Sequence, residues 1–232
     1  MKTITKLVLV SIAFLSFHLA LAEVRTEKVG ADPFTHIDID GAFTVIIEQG
    51  DKEQFSIEAD NHIMPYIKSS VKNNTLNIKL KTGIGSKKFD EIKLYITIKD
   101  LESLKLSGFI NLRVSKQITL EDLALHCTGA VRGELNSSTR SLSCKTTSFS
   151  ELELSGTTET LTIDKTDASS VNAFQLKAHT VRIESSGFGE VNVSVENTLD
   201  ITSKGAAVIN YQGNPEIAQM NIKGFSTLNK VK

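Results

Sequence analysis

Two pairs of carboxylates fall at spacings that could bring them side by side: Glu134 with Glu153, and Asp164 with Glu184. On neighbouring parallel strands, about 5 Å apart, such pairs reach the separation at which glycoside hydrolases hold a nucleophile and a general acid. That chemistry also needs an environment that raises one pKa. These four acids fall on outward positions of a convex repeat with no cleft to supply it, and a solvated face is the simpler expectation. Cys127 and Cys144 are the only cysteines. An exported pair invites a disulfide. The repeat sets them one layer and two residues apart, about 8 Å between Cα atoms, beyond the roughly 7 Å that a bridge tolerates. Two buried free thiols are therefore expected. The histidines at 36, 62, 126 and 179 show no His-x-His or His-Glu-x-x-His spacing, so neither a metal nor another cofactor is expected.

Two polar ladders are more regular than any of these. One is Ser107, Thr128, Thr147, Thr166 and Ser186; the other is Asn172, Asn192, Asn210 and Asn229. Flat hydroxyl arrays can bind ice or sugar. The flanking column Lys105, His126, Lys145, Asp164 and Glu184 interrupts the uniform surface that ice binding requires. β-formers and amide ladders also stiffen a parallel stack. The ladders are the candidate binding residues, with plain reinforcement as the simpler reading.

What must position these residues is a repeat of about 19 to 20 residues. Its marker is a small residue followed by Phe or Ala: Gly108-Phe109, Gly129-Ala130, Ser148-Phe149, Asp167-Ala168, Gly187-Phe188, Gly205-Ala206 and Gly224-Phe225. A fixed period in this range marks a solenoid. With Phe or Ala as position zero, the fifth residue before it reads Leu104, Leu125, Cys144, Ile163, Ile183, Ile201 and Met220. The third and fifth residues after it are also largely apolar, as in Leu152 and Leu154 or Val191 and Val193. Alternation with period 2 is the strand signal. Each repeat is expected to hold two short strands about a small-residue corner. Stacking the repeats in register closes a continuous core. The fold expected is an all-β, right-handed parallel β-solenoid. The alternation Phe, Ala, Phe, Ala in the marker column reads as a packing solution for the corner. The glycines before it are expected to supply positive φ or close backbone approach.

Residues 31–100 are β-rich but irregular. Ile37, Ile39, Gly41-Ala42, Val45 and Ile47 fit the repeat as a first coil. Asn73-Asn74 predicts a tight antiparallel hairpin, and Asp60 could cap a short helical turn containing Pro65. Residues 83–88 read as a flexible basic loop. This region is expected to cap one end, with Lys230 and Lys232 charging the other.

The first 22 residues read as a signal peptide: Lys2 and Lys6, an apolar stretch from Leu7 to Leu21, and Ala20-Leu21-Ala22 for cleavage. The stretch is shorter than the ~20 residues a membrane anchor needs. No later run is long enough to cross a bilayer, so residues 23–232 are expected to form one exported domain without a transmembrane segment. The chain carries 26 Lys and Arg against 27 Asp and Glu, without the basic footprint of a nucleic-acid binder. Trp is absent and aromatics make up 6%, which weighs against a sugar site built on stacking.

The segment Phe34-Thr-His-Ile-Asp-Ile-Asp-Gly-Ala-Phe-Thr-Val-Ile-Ile-Glu-Gln-Gly50 resembles the opening of the head GIN domain family of auto-transporter adhesins. So does Ile57-Glu-Ala-Asp-Asn-His-Ile-Met-Pro-Tyr-Ile67, and Ser186-Gly-Phe-Gly-Glu-Val-Asn-Val193 fits its corner pattern. The family's Gly-Ile-Asn triplet is interrupted here as Gly108-Phe-Ile-Asn111. The resemblance spans residues 30–230. It implies an exported bacterial β-solenoid and carries over no catalytic residue. The function expected is that of a non-enzymatic envelope or surface protein that meets a glycan or protein partner through one face. A carbohydrate-active enzyme and a purely structural periplasmic protein are the alternatives.

Overall fold

The computed structural model describes residues 24–30 in backbone outline, and 32–81 and 90–231 with their side chains. The signal segment, the basic loop at 83–88 and Lys232 lie outside the described residues.

The fold is all-β, an open sheet of eleven strands with one short 3-10 turn among the described residues. The strands are β1 (Val24–Gly30), β2 (His36–Gln49), β3 (Gln54–Asp60), β4 (Ile67–Lys72), β5 (Thr75–Leu80) and β6 (Lys93–Ile98). They continue as β7 (Ser103–Ser148), β8 (Glu151–Lys165), β9 (Ser170–Gln212), β10 (Glu216–Gly224) and β11 (Thr227–Lys230). The long runs β7 and β9 each span more than one repeat and bend at the corners.

Pairing follows the repeat. β2 lies parallel on β7 with Ile37 beside Leu104 and Ala42 beside Phe109. β7 lies parallel on β8, pairing Leu135 with Leu154 and Cys144 with Ile163. β8 and β9 pair Ile163 with Ile183, and β10 and β11 lie parallel on β9. Like residues thus stack on like, and one apolar core runs from Phe34 to Ile209. Both cysteines are buried and free.

The corner residue before the marker has positive φ in every layer: Gly108 at 104°, Gly129 at 103°, Ser148 at 66° and Asp167 at 56° among them. A Cβ on Gly129 would stand 2.6 Å from the Gly108 carbonyl oxygen, so glycine serves both bend and close approach. Where Asp167 takes the place, its carboxylate accepts the Ser148 N–H at 3.1 Å.

The marker column does not fill the corner. Phe109, Phe149, Phe188 and Phe225 are 74, 75, 66 and 90% exposed. The inside of the bend is filled by the following residue: Phe43, Ile110, Val131, Ser150, Ser169 and Ala207 are all buried. Position zero is even in a count where odd positions face in, so the Phe rings face out. Met220, in the inward column, is also exposed, at 61%. β10 shifts register between Ile217 and Gln219, and no further described strand covers it.

At the other end the strands turn antiparallel. β4 and β5 form a hairpin whose turn residues, Asn73 and Asn74, have φ of 50° and 59°, the sign that a type I′ turn requires. β3 pairs antiparallel with β1 and β6. The 3-10 turn spans Met64–Tyr66 with Pro65 in its first turn, but Asp60 does not cap it through its side chain. Instead the Asp60 carbonyl accepts the Ile63 N–H, and its carboxylate accepts the Asp90 N–H at 3.0 Å.

Candidate functional site

Outward positions four after the marker form one polar strip along the sheet face. It reads Glu134, Glu153, Asn172, Asn192, Asn210 and Asn229 in successive layers, with Glu134 beside Glu153 and Glu153 beside Asn172. The parallel register puts identical groups one strand spacing apart, where amides can chain. The Asn210 amide donates to Asn192 Oδ1 at 2.8 Å, and Asn229 donates to Asn210 Oδ1 at 2.9 Å. Asn210 also reaches Glu190 Oε1 at 2.6 Å. Asn172 stands slightly apart, accepting the Phe174 N–H at 3.4 Å. Three of the four predicted Asn thus share a hydrogen-bonded row.

The carboxylate end of the strip lies in a shallow groove of about 270 Å³, lined by Glu134, Asn136, Glu153, Ser155, Asn172 and Gln175. The sequence gives no sign of a cleft there, and the groove corrects that expectation. It arises where β8 and β9 slip register between Glu153 and Ser155, opening the face locally. Glu134 and Glu153 are both exposed to solvent in this groove, above Leu135 and Leu154. Asp164 and Glu184 pair in register as well. Asp164 is engaged by Lys145 at 2.8 Å, and this bond to Asp164 holds the Lys145 ammonium above its usual pKa.

The hydroxyl ladder is less connected. Thr147 donates to Thr128 at 3.3 Å, while Ser107 stacks on Asp40. Its flank carries ion pairs between layers, such as Lys105 with Asp38 at 3.3 Å. This mixed surface is distinct from the Asn row.

Sequence reasoning missed a polar interior. Lys165 is fully buried, and its ammonium donates to the Phe188 carbonyl. Burial pushes its pKa down, opposed by the Asp167 charge. Around it Thr146 and Ser169 share a hydrogen bond of 2.9 Å, and Ser203 donates to Ser226 at 2.9 Å. The signal was present: Lys165 stands three before its marker, an inward position by parity.

Among the described residues no three His, Cys, Asp or Glu side chains gather as a metal site. Nor is any described helix long and apolar enough to cross a membrane.

Residues 33–215 match the family described as "Putative auto-transporter adhesin, head GIN domain". Among solved structures, a "putative adhesin" from Bacteroides fragilis superposes with a TM-score of 0.84 at 21% identity, covering 90% of this chain and 97% of that one. A "putative adhesin" from Parabacteroides distasonis gives a TM-score of 0.66 at 18% identity, covering 90% and 98%. A "putative lipid binding protein" from the same species gives 0.60 at 20%, covering 90% and 97%. At these identities the likeness is one of fold. A comparison with curated proteins found no match.

Proposed function

The chain belongs to the head GIN domain family, and on that premise we propose that it is an exported, non-enzymatic adhesin-like protein whose polar strip contacts a glycan of the cell envelope or surface. In this reading residues 1–22 are a cleaved signal peptide and residues 23–232 form one right-handed β-solenoid, two strands per coil. The irregular residues 31–100 close its first end. The 19-residue register of β7 on β8 supports the coil geometry.

The observation that carries the binding role is the row of outward amides, Asn192, Asn210 and Asn229, beside the carboxylates of Glu134 and Glu153. Amides donate and accept, carboxylates accept, and together they match the hydroxyls of a sugar chain. The row offers them on a rigid sheet at even spacing, so little ordering entropy is spent on binding. The Ser107–Ser186 hydroxyl ladder is the secondary surface.

Epitope labelling on intact and permeabilised cells tests the location. Labelling of intact cells is expected, and labelling only after permeabilisation would end the surface reading. A glycan panel then tests the strip: the Asn192→Leu, Asn210→Leu pair should abolish retention while leaving the circular dichroism spectrum unchanged. No retention of any glycan by the wild type would leave a structural role as the better account.

One observation favours a second reading. The groove at Glu134 and Glu153 brings two carboxylates together in a hollow a sugar ring could enter. Release of reducing ends from a polysaccharide, abolished by Glu134→Gln or Glu153→Gln, would make the protein a glycan-cleaving enzyme instead.

A further inference from the structure

The corner ridge carries eight positions in successive layers: Ala42, Phe109, Ala130, Phe149, Ala168, Phe188, Ala206 and Phe225. Ala42 pairs in register with Phe109. Above it, the N–H of Phe149, Ala168, Phe188 and Phe225 each donates to the corner carbonyl one layer below. The four rings are two thirds or more exposed. They stand two layers apart, about 9.6 Å, with a methyl-sized gap between each pair. Around Phe109 the gap is open: a hollow of about 400 Å³ is lined by the apolar Ala42, Phe43, Ile92 and Ala130 and by the acidic Asp90 and Glu91. Apolar ridges this long are rarely left to water.

The order of the ridge is complementary to its own reverse. Read from the other end, every Phe falls where an Ala stood. A two-fold axis between Phe149 and Ala168, perpendicular to the stack and lying across the ridge, therefore sets ring against methyl at all eight positions. Ala42 meets Phe225, Phe109 meets Ala206, Ala130 meets Phe188, and Phe149 meets Ala168. A parallel pairing would set ring on ring and leave voids at each Ala.

Charge agrees with the antiparallel choice. The same axis places Asp40, two before Ala42, against Lys223, two before Phe225. It places Arg132, two after Ala130 and already paired with Glu151 at 2.7 Å within its own chain, against Glu190, two after Phe188. All four side chains are exposed. Each opposite-charge match occurs twice, and no like charges meet among these four.

We propose that this ridge is an isologous interface, and that its occupant is a second copy of this chain in antiparallel orientation. Four rings of about 150 Å² each amount to roughly 1,200 Å² across both copies. That is the lower end of what specific complexes bury, which fits a reversible, micromolar dimer. The ridge itself lies four residues from the Asn row, and the two meet only through Glu190, which holds Asn210 at 2.6 Å; ring and methyl exchanges at Phe149 and Ala168 therefore test the dimer without touching the glycan reading.

Sedimentation velocity of the exported chain, from nanomolar to high micromolar, tests it. A monomer–dimer equilibrium is expected. Ala168→Phe sets ring against ring at both central contacts and should weaken the dimer at least tenfold, as should Phe149→Ala by opening a gap. The double variant Phe149→Ala, Ala168→Phe restores ring against methyl and should recover the dimer. These side chains are exposed, so unchanged thermal melts will show that the fold survives. Asp40→Lys should weaken the dimer, and adding Lys223→Asp should restore it. A wild type that stays monomeric throughout overturns the proposal. So does a dimer indifferent to Ala168→Phe, or a double variant no better than the singles. A monomer that holds a glycan or a lipid vesicle through these rings would assign the ridge to that ligand instead.

Discussion

The two halves of the stack fill the same interior differently. From Leu101 to Leu135 every buried side chain is apolar, with Leu106 and Leu112 in one layer and Leu123 and Leu125 in the next. From Ser137 to Ser203 the same columns also take Ser137, Thr139, Thr146, Ser150, Thr158, Lys165, Ser169, Ser185 and Ser203. The parallel pairing runs through both, with one register slip in the second half between Glu153 and Ser155. A parallel stack therefore does not demand an oily interior. It demands that each inward residue find a match one layer away. In the first half that match is dispersion between aliphatics; in the second, where Leu161 still stacks on Val181, hydroxyl bridges join it, such as Thr139 to Thr158 at 3.0 Å. The second solution is incomplete, because Ser137 Oγ and Ser185 Oγ have no hydrogen-bond partner among the described residues.

The two cysteines probe the border between the halves. Burial pushes the Cys127 thiol up to about 12, and burial, then the neighbouring Cys127, pushes Cys144 higher still. Both should react with an aromatic disulfide reagent about 10³-fold or more slowly in the folded chain than in urea, because reaction waits on unfolding. Cys144 labelling much faster than Cys127 would mean that the polar half opens to water by itself.

Leu125→Ala tests the apolar half. It should cost about 2–5 kcal/mol in chemical denaturation, the transfer and cavity cost of a fully buried leucine. A loss under about 1 kcal/mol would show that the stack collapses around the gap, and the contrast would fail.

Lys165→Met tests the polar half with the sign reversed. It keeps most of the stem and removes a buried ammonium, and should stabilise the fold by about 1–3 kcal/mol at neutral pH. The folded pKa of Lys165 is depressed, so the unfolded chain holds the proton more tightly. The penalty that follows is present at neutral pH and fades as pH rises to about 10.4, the unfolded value. The wild type should therefore gain on the variant between those limits. A constant difference would mean that the amine is not the cause.

The smallest effect is expected at Ser185→Ala, which removes a buried hydroxyl without a partner. Stability should stay within about 0.5 kcal/mol or rise slightly. A loss beyond about 1 kcal/mol would reveal a hydrogen bond there after all.

Much of this was legible in the residues. The spacing from Gly108 to Gly224 marks the corners, and the columns five before the marker stack as their apolar character predicts, down to Cys144 on Ile163. Asn73-Asn74 marks its hairpin, since few residues accept positive φ twice in succession. The alternation of Phe and Ala suggests corner packing, but the even parity of that column turns the rings outward. The groove was invisible because it depends on a register slip at Glu153, which no residue type announces. Lys165 stands on an inward position by count, but a lysine there contradicts the usual preference for the surface, and only the backbone of the next layer supplies its acceptor.

The alternating ridge also constrains how the chain can change in length. Removing one internal repeat, or duplicating one, would bring two Phe or two Ala into adjacent layers and leave the ridge unmatched to its own reverse. Removing or duplicating two preserves both. If the ridge is under selection, related chains should differ by even numbers of repeats, lengthening or shortening the stack in steps of about 10 Å.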